Sequence, residues 1–282
     1  MHAAVEWLVR SDEVQPAEGP VWDDREGVLW WVDIMGHAVH RHDPTDGSDT
    51  VLDVGQPVGA VALRESGGLL AYLADGLALL DPRTGALERV VDLEAAATHL
   101  RSNDGKAGPD GCFWGGSMAL DLSHGQGSLY RVEPDGTTQR LLADVSISNG
   151  LDWITPHRLY YVDSYAHGLD VLDVDLDRGR VVARTRLVDL PEPEGLFDGL
   201  TVDATGDVWI AVHGGGEVRR YSPRGKLVGR VDVPTDLVTS VCFGGEDLTD
   251  LYITAAASES QAGGLLRCHV GVAGRAPNRF AG

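Results

Sequence analysis

An all-β, six-bladed propeller with four antiparallel strands per blade is the architecture this 282-residue sequence predicts. Three observations predict it. A short apolar strand recurs six times with similar neighbours, each copy has a hairpin partner ahead of it, and an unmatched N-terminal strand faces a last unit that is one strand short.

The recurring strand reads Leu29-Trp30-Trp31-Val32-Asp33 in its first copy, and returns at 69–73, 113–117, 159–163, 208–212 and 251–255. β-branched and aromatic residues dominate most copies, and each is too short for an ordinary helix. Ahead of them lie the segments 19–22, 58–61, 103–106, 149–152, 198–201 and 239–242, joined to the core strand by turns rich in Asp and Gly. Third strands follow, several closing on Asp-Pro or a similar pair, as at Asp43-Pro44 and Asp81-Pro82. Fourth strands alternate at 87–93, 139–145, 183–190 and 227–233. Four strands in roughly 40–50 residues make one propeller blade. The final unit runs from 265–270 into a tail at 271–282, with no fourth strand of its own. The alternating segment 4–10 is expected to pair beside 265–270 and close the ring. All of 1–282 is expected to form this one domain.

Composition narrows the function. A formal net charge of -20 argues against nucleic acid as a partner, since phosphate binding rests on clustered Lys and Arg. No run of 18 apolar residues occurs, so no membrane span is expected. The first residues lack the apolar stretch of a secretory signal, and Cys112, Cys242 and Cys268 are too few and too dispersed for a disulfide framework or a zinc finger. The expected location is the cytoplasm.

In a propeller the innermost strands surround a channel, so six equivalent positions, distant in the chain, meet at one mouth. They are expected on the loop entering each inner strand: Glu18-Gly19, Val58-Gly59, Asn103-Asp104-Gly105, Asn149-Gly150, Asp198-Gly199 and Thr239-Ser240. Four of the six carry a Glu, Asp or Asn side chain beside glycine. Such oxygens suit Ca²⁺, Mg²⁺ or Mn²⁺, although Asn-Gly and Asp-Gly pairs also form turns. Lys106 reads as a solvated loop residue, as do His99, His124, His167 and His213. Trp22, Trp30, Trp31, Trp153 and Trp209 read as packing between blades. Ser117 lacks the Gly-x-Ser-x-Gly elbow of a serine hydrolase.

Four motifs carry a resemblance. Pro16-Ala17-Glu18-Gly19-Pro20-Val21-Trp22, Arg101-Ser102-Asn103-Asp104-Gly105-Lys106, Ser148-Asn149-Gly150-Leu151-Asp152-Trp153 and Asp198-Gly199-Leu200-Thr201-Val202-Asp203 resemble those of the gluconolactonase, regucalcin (senescence marker protein 30) and luciferin-regenerating enzyme family. The likeness spans 18 to about 254. It implies metal-dependent hydrolysis of sugar lactones, such as gluconolactone or a pentonolactone, to aldonic acids by a six-bladed propeller. It implies Glu18, Asn149 and Asp198 as metal ligands, Asp198 also as general base, and Arg101 and Asn103 as substrate contacts. Asp121 falls where the family carries a glutamate that meets the substrate. One divalent cation is implied, with Ca²⁺ the first expectation and Zn²⁺, Mg²⁺, Mn²⁺ and Fe²⁺ alternatives. An organophosphate-hydrolysing propeller and a non-catalytic cation-binding propeller are the competing readings. Arg101 and Asn103 favour an enzyme, because a cation buffer has no need of them.

Overall fold

The computed structural model describes residues 4–282. Its strands form six four-stranded antiparallel sheets, each built from strands consecutive in sequence, except the last. Blade 1 comprises Ala17–Asp23, Val28–Asp33, Ala38–Asp43 and Ser48–Asp53. Blades 2 to 6 begin with Val58–Leu63, Leu100–Ala107, Ser148–Thr155, Leu196–Val202 and Val238–Gly244. These six first strands pack side by side in a ring and line the channel.

Blade 6 closes the ring as expected. Its outer strand is the N-terminal Glu6–Ser11, paired antiparallel with Gly263–His269 in a register that sets Glu6 against Arg267 and Ser11 against Gly263. Arg267 Nη2 also donates to Glu6 Oε1 at 2.6 Å.

Six apolar layers hold the ring together, one between each adjacent pair of blades. The tryptophans sit in these layers, as the sequence predicts. Trp22 of blade 1 stacks on Tyr252 of blade 6 with ring centroids 5.6 Å apart. Trp153 meets Trp114 edge-on across blades 4 and 3, and Trp209 meets Phe243 across blades 5 and 6. Second strands such as Val28–Asp33, Leu69–Leu73 and Phe113–Ala119 are buried on both faces because a neighbouring blade covers each face. Fourth strands such as Ser48–Asp53 and Leu87–Asp92 are largely exposed and alternate accordingly.

The tail adds no strand, yet it is not loose. Residues 274–282 run under the ring: Gly274 bridges to Asp203, and Phe280 pairs in parallel with Arg64. The Phe280 ring is fully buried in the layer between blades 2 and 3. Arg279 pairs with Asp23 and Asp24, and Arg275 Nη1 donates to Trp153 O at 2.9 Å. The channel is therefore open at one end, the upper mouth, and strapped at the other.

Candidate active site

The pairing of every inner strand with its second strand slips at an equivalent place, and in blade 4 it slips again between Trp153 and Thr155. The slips fall between Glu18 and Val21, Val58 and Ala60, Ser102 and Gly105, Ser148 and Leu151, Phe197 and Leu200, and Val238 and Ser240. A bulge leaves a residue unpaired and re-aims its side chain, and it recurs next to active sites. The expectation of an entry loop is thus corrected: Asn103, Asn149 and Asp198 stand on bulges inside the inner strands, and Glu18 borders one. The adjoining glycines are not turn formers here. A Cβ on Gly150 would lie 2.6 Å from Asp198 O, and one on Gly199 2.0 Å from Ser240 Oγ. Glycine at these sites lets the next inner strand come close, which draws the bulges onto the axis.

A cleft of about 220 Å³ opens at the upper mouth, and Glu18, Arg101, Asn103, Asn149 and Asp198 all line it. Asp121 does not. It is exposed at the end of blade 3's second strand, where Oδ1 accepts bonds from Ser123 N and Oγ at 3.0 and 2.6 Å. Its loop instead presents Leu122 to the cleft. The one-methylene-shorter side chain is satisfied locally by its own turn.

Glu18 and Asp198 are both buried. Burial drives the carboxyl of Glu18 well above the usual range, and the charges of Asp198 and Asp104 add to it. Asp198 is raised in the same sense, first by burial and then by Asp104. Its Oδ1 is buried without a hydrogen-bond partner. Arg101 attracts both acids, but its Nη1 is engaged by Ser102 O at 2.8 Å and Asn103 Oδ1 at 2.7 Å. Burial lowers the guanidinium to about 10, so it remains charged at neutral pH.

The two amides are oriented by their neighbours. Asn103 Nδ2 donates to Ser148 O and to Asn149 Oδ1, both at 2.8 Å. Asn149 Nδ2 donates to Ser164 Oγ at 2.7 Å. Among the described residues no three His, Cys, Asp or Glu side chains converge as a ready-made metal cage. The mouth offers two carboxylates and an amide oxygen, Asn149 Oδ1, with a lone pair to spare. A buried acid pair, an orphaned carboxylate oxygen and hard donors fit a divalent cation.

Two cleft residues escape a reading of the sequence by motif. His213 is no loop histidine: it ends the strand Val208–His213, half-buried in the cleft wall, with Nδ1 3.9 Å from Asp198 Oδ2. Burial lowers its pKa, which keeps the ring neutral near pH 7. Strand register is the signal that finds it, since His213 lies opposite Leu196, two residues before Asp198. Ser164 follows the core strand of blade 4, and the pairing of Ser148 with Asp163 places it beside Asn149. His124 is exposed on its loop as expected, and its ring also stacks on Tyr165 of the cleft wall at 4.6 Å.

Below the acid pair the channel widens into a second cavity of about 230 Å³, floored by residues 275–278 of the tail. Lys106 lines this cavity and is not a solvated loop residue. Its Nζ lies 3.3 Å from Asp152 Oδ2 and donates to Leu200 O at 3.0 Å. Asp152 Oδ2 also accepts from Val202 N at 3.0 Å and Thr201 Oγ1 at 3.3 Å. Burial raises Asp104 here, and the Lys106 charge opposes that rise.

Residues 16–257 match the model of the SMP-30/Gluconolactonase/LRE-like region. The chain belongs to this family. Regucalcin of Xenopus laevis is 36% identical over 97% of both chains. A 6-deoxy-6-sulfogluconolactonase of Pseudomonas putida is 36% identical over the full length of both. Among solved structures, a calcium-binding protein, regucalcin, from Agrobacterium tumefaciens superimposes with a TM-score of 0.89 at 29% identity, covering 96% of each chain. The SMP-30/gluconolactonase resemblance read from four motifs is therefore a property of nearly the whole chain.

Proposed function

We propose that the upper mouth is the active site of a lactonase that opens sugar-lactone-type esters with one divalent cation held by Glu18, Asn149 and Asp198. One observation carries the reading: Glu18 and Asp198 are buried together, with an Asp198 oxygen unpartnered, in the cleft that Arg101 also lines. The relatives named as a sugar lactonase and as a calcium-binding protein support it.

When bound, the cation supplies the positive charge the acid pair lacks and polarises the lactone carbonyl as a Lewis acid. Asp198 accepts a proton from the attacking water, whose oxygen adds to the acyl carbon. The bond from that carbon to the ring oxygen then breaks, and the proton passes to the departing alkoxide. Arg101 keeps guanidinium N–H groups beyond Nη1 for a substrate oxygen. Asn103 holds Arg101 on one side and Asn149 on the other. Hard oxygen donors suit Ca²⁺, Mg²⁺ and Mn²⁺ alike, and the solved relative described as a calcium-binding protein puts Ca²⁺ first. The same proposal keeps the protein in the cytoplasm, supported by three cysteines that are all free and buried.

The test is a pH-drop assay of the wild type on a panel of aldonolactones, with chelator and then add-back of Ca²⁺, Mg²⁺, Mn²⁺, Zn²⁺ or Fe²⁺. Hydrolysis of at least one lactone, lost on chelation and restored by a divalent ion, is expected. A metal-loaded protein that turns over none of them would overturn the proposal.

A further inference from the structure

Asn149 can present its oxygen to the channel axis only if its amide is prevented from turning over. Two neighbours prevent this, Asn103 on one side and a single hydroxyl group on the other. Ser164 is 2% exposed, and its Oγ lies 2.8 Å from Phe197 O and 2.7 Å from Asn149 Nδ2. A serine hydroxyl has one proton to give, and a backbone carbonyl can only accept. The Ser164 proton therefore lies on Phe197 O. Toward Asn149 the hydroxyl can only accept, so the amide NH₂ must face it and Oδ1 must face away.

The far end of the chain of bonds requires the same direction independently. Arg101 can only donate, so Asn103 turns its oxygen to Arg101 Nη1 and its NH₂ to Ser148 O and Asn149 Oδ1. Donation runs one way, from Arg101 through Asn103, Asn149 and Ser164 to Phe197 O. Both amide orientations follow from groups that have no alternative role. The last acceptor also matters, because Phe197 directly precedes Asp198. The hydroxyl thus staples the bulge that carries Asn149 to the strand that carries Asp198. Ser164 is itself pinned by Ser164 N donating to Ile147 O at 3.1 Å, while Asp163 caps Ser146 N and Ile147 N.

We infer that Ser164 is a positioning residue: together with Asn103 it holds the Asn149 amide with its oxygen toward the axis. This rests on the cation reading of the mouth. Without the hydroxyl, Asn149 Nδ2 is left buried and unpartnered, and Asn103 Nδ2 alone holds the amide oxygen in place.

Mn²⁺ affinity, measured by calorimetry and by electron paramagnetic resonance, tests this in four proteins: wild type, Ser164→Ala, Asn149→Asp, and the two changes together. Ser164→Ala should weaken Mn²⁺ binding about tenfold. In the Asn149→Asp background the same change should weaken it less than threefold, because a carboxylate offers oxygen from either side. Thermal melts accompany each measurement; should Ser164→Ala fail to fold, Ser164→Cys, near in volume and a weak hydrogen-bonder, replaces it in both backgrounds. Unchanged affinity in Ser164→Ala would overturn the assignment. So would an equal loss in both backgrounds, which would mean that Ser164 supports the fold and not the amide. A wild type that binds no Mn²⁺ or Ca²⁺ would overturn the function as well, and that failure is distinguishable because it shows before any substitution.

Discussion

At the upper mouth Glu18 and Asp198 lie buried with Arg101 as the cation they share, and one Asp198 oxygen is left without a partner. At the lower end of the same channel Asp152 is met by Lys106, Thr201 and the Val202 amide, and the same ammonium offsets the charge of Asp104. Both ends draw on the same inner strands. The difference is who supplies the counter-charge. Where the chain supplies it, the carboxylate is structural, since a buried acid that is paired and hydrogen-bonded needs nothing further. Where the chain supplies one guanidinium to two buried acids, the demand is met only in part, and unmet electrostatic demand of this kind marks a candidate functional site.

The largest expected effect tests whether the two ends are independent. Phe280→Ala removes the fully buried ring that seats the tail and should cost about 3–5 kcal/mol in denaturant unfolding. It should leave cation affinity at the mouth within about threefold. A parallel collapse of cation binding would show that the strap and the mouth are one unit.

Asp198→Asn comes next. It keeps an oxygen of the same size but loses the basic site, so turnover should fall by roughly 10²-fold or more while cation binding remains measurable. Wild-type turnover in that variant would move the base to another group, with Asp104 the next to substitute.

A smaller effect follows from the sign of the Asp198 shift. Its folded-state pKa is raised above the unfolded value, so the folded state holds the proton longer, and stability falls as pH climbs past the unfolded pKa of about 4. The neutral amide introduced by Asp198→Asn carries no such cost. In metal-free protein, this variant should melt above the wild type at pH 7, and the gap should close toward pH 4. A constant gap would mean that burial of charge is not what sets it.

Smallest is Asp121→Ala. Being exposed and bonded within its own turn, Asp121 should change kcat/KM by less than about threefold. A loss of tenfold or more would mean that its loop folds over the cleft when substrate binds.

Much of this was legible in the sequence. The sixfold recurrence and the lone alternating segment at Glu6–Ser11 determine blade count and ring closure, because strand pattern and period are local properties. That Glu18, Arg101, Asn103, Asn149 and Asp198 would share a mouth follows from equivalent positions in a ring. The bulges were not legible, since a register slip depends on how two backbones pair and Asn-Gly reads as a turn in isolation. Lys106 and His213 were misread because their neighbours, Asp152 and Asp198, come from other strands or distant positions. Phe280 is the one aromatic of the tail at 271–282, and a single aromatic has no periodicity to betray its burial.

If the mouth takes up a cation while the lower channel carries its own, the contrast is read directly from the divalent ions bound per chain, counted by native mass spectrometry and calorimetry. One ion is expected in the wild type, one in Lys106→Met, and none in the double variant Glu18→Ala, Asp198→Ala. An ion retained by the double variant, or none bound by the wild type, would contradict it.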